Sequence, residues 1–211
     1  MLTEAQIQQN KEQYISLIRS LAVDSSFNID GLLSFLENSD FFTAPASTMY
    51  HCAYKGGLCQ HSLNVYNTLN QLINEYAPNM YDEVSIKIVS LLHDISKVDF
   101  YESYVVNKKI YSENGTKHDN MGNFDWFSEE AYKVKDPTKR FICANHGVNS
   151  FMIASRYLAL TEEESSAIIN HHAGMDDDSA CRDISNILNK YSLATLLHVA
   201  DMISCYILEK C

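Results

Sequence analysis

An all-α fold, with a small irregular or β-hairpin insert at about residues 99–140, is predicted by three observations. The 211 residues include only 7 Gly and 3 Pro, far below the average usage of about 12%, whereas a turn-rich β-sandwich needs many such residues. Apolar residues make up 46% of the chain and charged residues 20%, which is enough to bury a core. Apolar residues also recur at helical spacing over most of the chain. We expect one domain over residues 1–211, with helices in residues 1–50 that pack on its core.

Four helices are predicted in the first half of the chain. A capping box at Thr3–Gln6 begins the first helix, and Asp82 caps the fourth. Pro45 and the pair Gly56-Gly57 indicate a loop over residues 41–57. The helices predicted on this basis are Thr3–Leu21, Ile29–Leu36, Leu58–Tyr76 and Asp82–Lys97.

The pattern changes after residue 99. Tyr101–Tyr111 is rich in Tyr and Val and has Asn107-Lys108 at its centre, which predicts a β-hairpin. Gly115–Arg140 is polar, and we expect it to be irregular. Helical spacing then returns in three segments, which are His146–Tyr157, a helix from the capping box at Thr161–Glu164 to His172, and a last helix from Ser192 to Ile207.

The chain is acidic, with a net charge of −11 and an isoelectric point near 5.1. A surface of this sign repels phosphates, so binding to duplex DNA or RNA is not expected. A small phosphorylated ligand is compatible with this charge, because a bound metal ion reverses the local field. The predicted partner is therefore a small phosphorylated substrate and not duplex nucleic acid. The charge does not predict the oligomeric state.

The sequence shows no sign of a membrane or secretory segment. No apolar run approaches the ~20 residues of a membrane span, and no basic region precedes an apolar stretch at Met1. The six cysteines form no Cys-x-x-Cys pair, so we expect reduced thiols and a cytoplasmic protein. Cys52 and Cys59 lie close to His51 and His61 in the sequence, which makes them secondary candidates for metal ligands.

Histidines and aspartates occur on predicted helices among apolar neighbours. His61, His93, His171 and His198 follow this pattern, and Asp94 and Asp201 lie among Leu, Ile and Val in the same way. One such histidine is typical of a hydrogen-bonded core residue, but buried carboxylates need cations nearby. No Arg on these helix faces supplies that charge, so a divalent metal ion is predicted. Imidazole and carboxylate together suit Fe, Mn, Co, Ni or Zn.

The ordered set His61, His93-Asp94 and Asp201 resembles the H…HD…D signature of the HD-domain metal-dependent phosphohydrolases. The intervals are 32 residues from His61 to His93 and 107 residues from Asp94 to Asp201. The resemblance covers about residues 50–209, most of the chain. It includes the segments Gly56–Ser62, Leu91–Lys97 and Leu197–Met202.

The resemblance implies a compact bundle of helices that encloses one or two divalent ions. The first ion would be held by His61, His93, Asp94 and Asp201. His146, in Asn145-His146-Gly147, and His171 are similar to the extra histidines of the dinuclear members, in which Asp94 would bridge the two ions. His172 and His198 stay open as ligands. In members with a third site a glutamate stands at the position that Gly57 occupies here, which argues against such a site.

Asp94 and Lys97 are the predicted catalytic residues. Lys97 follows Asp94 by one helical turn, so its ammonium group could hold a phosphate oxygen or stabilise a leaving group. The alternative is a solvated lysine at a helix end. The related deoxynucleotidases have a glutamate at this offset, so their mechanism does not transfer directly. His51 and Arg156 are predicted substrate contacts, and a surface salt bridge is the alternative for Arg156.

The resemblance predicts a metal-dependent phosphohydrolase that acts on a phosphomonoester or phosphodiester, with a nucleotide as the first expectation. A di-iron oxygenase of the myo-inositol oxygenase type is one alternative, and an inactive nucleotide-binding HD module is another. Specificity is expected from the insert, whose aromatic residues could stack on a base or form a minor core. These aromatic residues are Tyr101, Tyr104, Trp126 and Phe127.

Overall fold

Helices form the body of the protein, and a three-stranded antiparallel sheet extends from it. The computed structural model describes residues 1–140, 145–172 and 181–210. The helices are α1 (Glu4–Arg19), α2 (Ile29–Asn38), α3 (Gly57–Tyr76), α4 (Glu83–Leu92), α5 (His146–Ala154), α6 (Glu162–Ile169), α7 (Cys181–Lys190) and α8 (Ser192–Ile203). Short 3₁₀ turns occupy Ile95–Lys97 and Pro137–Lys139, and a π-helical turn, Ser204–Leu208, follows α8. The strands are β1 (Tyr101–Tyr111), β2 (Lys117–Asp119) and β3 (Gly122–Val134).

The prediction of an all-α fold is wrong, because the protein is mixed α/β. Helices account for 53% of it, and the sheet has the strand order β1-β3-β2. Asn107 and Lys108, predicted as a hairpin turn, lie in the middle of β1 and pair with Ser128 and Phe127. The segment predicted as irregular contains β2 and β3. Both faces of this sheet are largely exposed to solvent, so its sequence lacks the one-sided apolar alternation that identifies a half-buried strand.

The capping predictions are confirmed at three helices. Thr3 and Gln6 form a complete capping box at α1, and Thr161 and Glu164 form one at α6. The Asp82 side chain accepts a hydrogen bond from the Ser85 amide at 2.7 Å. These side chains satisfy amides that the first helical turn leaves without partners.

Several predicted helix ends are wrong by a few residues. The fourth helix ends at Leu92, with His93 as its C-cap, instead of continuing to Lys97. Asp94 then leaves helical geometry at φ −110° and ψ 14°. The predicted last helix, Ser192 to Ile207, stays helical throughout, but its geometry changes from α to π after Ile203. Apolar spacing continues past Leu92 and past Ile203, so periodicity alone locates neither change.

Helix α3 lies at the centre of the body and packs against α1, α4 and α8. Its inner face contributes Leu58, Leu63 and Leu69 to the apolar core, each no more than 2% exposed. The Tyr14 hydroxyl of α1 donates a 2.6 Å hydrogen bond to the Leu91 carbonyl of α4, which ties α1 to α4. The other half of the body contains α5 and α6, which pack on each other. Helix α6 also packs on α4 and α8, and α5 packs on the first 3₁₀ turn. This packing brings one end of each of five helices to a common interior region.

In the described part of the chain, no single helix is long and apolar enough to cross a membrane. The adjoining α7 and α8 reach that length only together, and their axes are bent by 109°.

Candidate metal centre

Five helices deliver the predicted ligands to the interior region. His61 is in the first turns of α3, His93 caps α4 and Asp94 follows it. Three further predicted ligands are His146 at the start of α5, His171 just after the end of α6, and Asp201 in the last turn of α8.

The start of α3 is fixed by two glycines. Gly56 has φ +81°, which disfavours any residue with a β-carbon. A β-carbon on Gly57 would lie 2.0 Å from the Cys52 carbonyl oxygen, so residue 57 has no room for a side chain. This close approach sets where α3 begins and therefore where His61 points.

The first donor group contains the four atoms His61 Nε2, His93 Nε2, Asp94 Oδ2 and Asp201 Oδ1. His61 Nε2 lies 3.2 Å from His93 Nε2, 3.2 Å from Asp201 Oδ1 and 3.5 Å from Asp94 Oδ2. His93 Nε2 lies 3.5 Å from Asp94 Oδ2. Ligands about 2.0–2.2 Å from a metal ion are about 3.0–3.5 Å from one another, so the spacing matches that of a coordination shell.

A second donor group shares Asp94 with the first. Asp94 Oδ1 lies 3.6 Å from His171 Nε2 and 3.9 Å from His146 Nε2, and the two Nε2 atoms are 3.0 Å apart. The His172 ring lies 4.1 Å from the His146 ring, centroid to centroid. The two oxygens of Asp94 therefore face different histidine pairs, as a bridging carboxylate would.

Backbone hydrogen bonds orient two of these histidines. His93 Nδ1 lies 2.7 Å from the Ser90 carbonyl, and His171 Nδ1 lies 2.7 Å from the Ile168 carbonyl. A carbonyl only accepts, so each Nδ1 carries the hydrogen and each Nε2 turns toward the donor groups. This arrangement is typical of metal-binding histidines, whose outer nitrogen is fixed by a second contact.

Asp94 supplies the clearest sign that the interior needs a cation. Its side chain is 2% exposed, and its buried Oδ1 has no hydrogen-bond partner. An unsatisfied buried carboxylate oxygen is costly. It faces the second histidine pair, where a cation would compensate for the missing hydrogen bond. The buried His and Asp groups can thus hold a metal ion.

The charges around the two groups favour ionised carboxylates and a neutral His93. Burial opposes the charged form, but Lys97 and His93 hold the pKa of Asp94 well below its usual range. Burial also opposes ionisation of Asp201, yet His61 keeps its pKa well below the usual range. Burial lowers the pKa of His93 to about 3. Two anionic side chains and a neutral imidazole suit a divalent ion.

Lys97 lies beside the first donor group. Its Nζ donates to Asp94 Oδ2 at 2.7 Å and to the Ala46 carbonyl at 2.9 Å. Burial opposes its charge, but Asp94 raises its pKa above the usual value. Tyr101, the first residue of β1, donates its hydroxyl to the same Ala46 carbonyl at 3.2 Å. Lys97 is therefore a fixed cation at the edge of the site, in contact with Asp94.

Glu209, which the sequence analysis did not select, contacts the outer nitrogen of His61. Both carboxylate oxygens lie 3.1 Å from His61 Nδ1, and the Asn64 amide donates to Oε1 at 2.8 Å. Burial opposes the charged form of Glu209, but His61 lowers its pKa to about 2. Burial likewise opposes protonation of His61, but Glu209 raises the His61 pKa to about 10. Cys205 lies at the same corner and donates to Asp201 Oδ1 at 3.2 Å.

His51 lies next to His61, as its predicted substrate role requires. The two rings are 4.9 Å apart, centroid to centroid, and His51 Nε2 is buried without a hydrogen-bond partner. Burial lowers the pKa of His51 to about 4, so its ring is neutral at pH 7. A cavity of about 560 Å³ adjoins it, lined by Met49, Tyr50, His51, Cys205, Tyr206, Glu209 and Lys210.

The other predicted residues lie at different distances from the centre. His172 Nε2 lies 3.8 Å from Asp201 Oδ2, and it joins His146 and His171 in one donor set. His198 Nδ1 contacts the His171 carbonyl at 2.7 Å. Arg156 is exposed beyond the C-terminal end of α5, the helix that His146 begins, so the structure does not bring it to the donor groups.

Cys52, Cys59 and the outer part of the insert contribute little to the centre. Cys52 and Cys59 are buried and form no disulfide bond, and neither belongs to the donor groups found among the described residues. Cys143 and Cys211 lie outside the described residues, as does the side chain of Cys181. In the insert, Trp126 and Phe127 are each 49% exposed.

No family model, curated protein or solved structure matches this chain. The fold and the site by themselves define a mixed α/β protein with a helical body and a buried His/Asp centre able to hold a metal ion.

Proposed function

We propose that the protein is a metal-dependent phosphohydrolase of the HD type that cleaves a small phosphate ester, with nucleotides as the first substrates to test. The observation that carries the proposal is the shared carboxylate of Asp94, whose two oxygens face two separate histidine pairs. Two adjacent divalent ions suit phosphoryl transfer, because together they orient and neutralise the reacting group. Fe, Mn, Co, Ni and Zn all suit these ligands.

Each residue of the candidate site then has a defined role. His61, His93, Asp94 and Asp201 would hold one ion, and Asp94, His146 and His171 a second, with His172 as a further ligand. Such ions lower the pKa of coordinated water and polarise the phosphoryl oxygens. Lys97 keeps Asp94 ionised through the 2.7 Å contact. The Lys97 ammonium has three hydrogens, and two are engaged with Asp94 and Ala46, which leaves one for a phosphate oxygen.

His51 is suited to substrate binding because it is neutral at pH 7 and its Nε2 has no partner. It contacts the His61 ring and lines the 560 Å³ cavity. We therefore propose His51 as a substrate contact and this cavity as the place that would receive the ester group. The net charge of −11 restricts the proposal to small substrates, since long polyanions are repelled.

The proposal is tested with protein purified without chelators. We expect bound transition metal by elemental analysis, and phosphate release from a panel of nucleotides in the presence of Mn²⁺ or Co²⁺. Asp94→Asn should lose metal and reduce turnover by about a hundredfold or more. Asp99→Asn is the matched control, because Asp99 is exposed and five residues away.

Two results would overturn the proposal. Phosphate release that is unchanged in Asp94→Asn would exclude any role for the metal centre in hydrolysis. Oxygen uptake by an iron-containing protein that releases no phosphate would instead identify the di-iron oxygenase alternative.

A further inference from the structure

Among the described residues, no strand pairs with the outer edge of β1. In the described part of the chain, β3 is its only strand neighbour, and the sheet order β1-β3-β2 places β1 at the outside. The opposite edge, on β3, is partly covered by β2. Long exposed edge strands offer rows of free N–H and C=O groups that pair readily with another strand.

The hydrogen-bond pattern shows which groups of β1 are free. The Lys135 amide donates to the Phe100 carbonyl at 3.0 Å, and the Ser112 amide donates to the Asn123 carbonyl at 3.1 Å. Bonded pairs alternate along an antiparallel ladder, so even-numbered residues from 100 to 112 direct their backbone groups toward β3. The odd-numbered residues of β1 direct theirs outward. Val105, 69% exposed, is in the middle of this outward row.

We propose that β1 pairs with β1 of a second copy of this chain, antiparallel and centred on Val105. A two-fold axis perpendicular to the sheet keeps each face continuous, so odd residues must oppose odd residues and even residues even ones. Glu102 is the single acidic residue of β1. Among the registers that this rule allows, only the one centred on Val105 places a lysine opposite Glu102. In this register Glu102 of each copy faces Lys108 of the other.

The remaining opposed pairs fit the same register. Tyr104 of one copy faces Val106 of the other, and Val105 meets its own equivalent on the axis. Tyr101 faces Lys109, which would place a cation next to an aromatic ring. Tyr104 is 45% exposed in the single chain, so pairing would cover apolar surface. Shifting the centre to Val106 would instead oppose Glu102 with Ile110 and Tyr104 with Lys108. Aromatic–aliphatic and opposite-charge pairs stabilise neighbouring strands, whereas mismatched pairs do not.

The existing ion pairs are compatible with this arrangement. Glu102 already contacts Lys133 at 3.1 Å, and Lys108 already contacts Glu129. Both pairs lie on the face of the sheet where Glu102 would meet Lys108 of the other copy. The result is a charge network of alternating sign across the six-stranded sheet that the two copies would form.

The first experiment measures mass in solution by light scattering over a range of protein concentrations. We expect a mass of twice 24.0 kDa for the full chain. Val105→Pro removes an outward N–H without removing a hydrogen bond to β3, so the Kd of the dimer should rise by about tenfold or more. Asn67→Ala, on the exposed side of α3, should leave the mass unchanged.

The second experiment tests the register and does not depend on whether the proline variant folds well. Val105→Cys should form a disulfide-linked dimer under mild oxidation, since opposed Cα atoms in this register lie about 5.5 Å apart. Val106→Cys should not, because Val106 opposes Tyr104. Glu102→Lys should weaken the dimer, and adding Lys108→Glu should restore it.

A protein that is monomeric at every concentration overturns the proposal. A dimer that persists in Val105→Pro, or that is cross-linked equally by both cysteine variants, overturns the edge pairing.

Discussion

At the scale of single residues, Glu209 is a positioning residue for His61. It holds the Nδ1 side of the ring while Nε2 faces the donor group. We expect Glu209→Gln to weaken metal binding about 10–100-fold, as is typical for partners of ligating histidines. The reason is the loss of a negative charge that fixes the ring and makes Nε2 a better donor.

This prediction is checked by titrating Co²⁺ or Zn²⁺ against a chromophoric chelator. Glu75→Gln, on the exposed C-terminal part of α3, serves as the control. Equal metal affinity in Glu209→Gln and in the unsubstituted protein would show that the Glu209 contact has no role in binding.

The sequence identified the donor residues but not the partners that orient them. His61, His93, Asp94 and Asp201 are recognisable because polar residues on apolar helices are unusual. Glu209 has no such signal. It follows the π-helical turn Ser204–Leu208 and meets His61 across 148 residues of sequence. The sequence leaves His172 open as a ligand, because it does not show which of the two neighbouring histidines turns inward.

The contact between Asp119 of β2 and Lys109 of β1 can be tested through the pKa of Asp119. Lys109 donates to Asp119 and, together with the Met121 amide, lowers the Asp119 pKa to about 2. The contact with Lys109 is therefore complete above the usual pKa of 3.8 and is lost as pH falls through about 2. Lys109→Gln should raise the Asp119 pKa toward 3.8, measured by NMR titration of the side-chain carboxyl. An unchanged pKa would mean that Lys109 does not hold this carboxylate in solution.

At the scale of elements, the start of α3 links packing to the metal centre. We expect Gly57→Ala to lower the free energy of unfolding by about 1–3 kcal/mol, because its β-carbon would meet the Cys52 carbonyl at 2.0 Å. For a chain of this size that corresponds to about 2–4 °C of melting temperature per kcal/mol. Metal affinity should fall as well, since the helix start carries His61.

Thermal unfolding monitored by circular dichroism measures this effect. Asn67→Ala also introduces an alanine into α3, but on its exposed face. This control should leave the melting temperature nearly unchanged. An unaltered melting temperature in Gly57→Ala would show that the loop before α3 moves aside without cost.

The predicted helices were more accurate than the predicted strands for a physical reason. The body helices bury one face, and Leu63 and Leu69 of α3 show that face as regular apolar spacing. Backbone hydrogen bonds and cross-strand side-chain pairs hold β1 and β3 together, and both faces of the sheet stay largely exposed to solvent. A mostly polar segment of this kind has the composition of a loop, so Gly115–Arg140 was predicted as irregular. The helix break at Asp94 and the change from α to π geometry at Ser204 are also hidden, because apolar spacing continues through them.

At the scale of the whole molecule, the helical body and the sheet have separate apolar clusters, and we predict that they are energetically separate. No residue of the sheet belongs to the large apolar cluster formed by the described helices and the loop before α3. The sheet has its own small cluster, in which the Phe124 ring lies 5.7 Å from Tyr111 and 5.6 Å from Trp126. At its base, Tyr101 donates to the Ala46 carbonyl, which also accepts from Lys97.

This separation predicts that most of the sheet can be removed without loss of the metal centre. Replacing residues 105–130 by Asn-Gly would leave Tyr104 and Ala131 as a bonded pair next to a two-residue turn, the geometry that Asn-Gly favours. The Tyr101 contact with Ala46 would remain. Because the core of the body has no side chain from the deleted segment, we expect unchanged metal stoichiometry and a melting temperature within a few degrees of the full chain. Elemental analysis and calorimetry measure both quantities. Loss of metal in a folded, truncated protein would show that the outer sheet supports the centre, and the division into two energetic units would then be wrong.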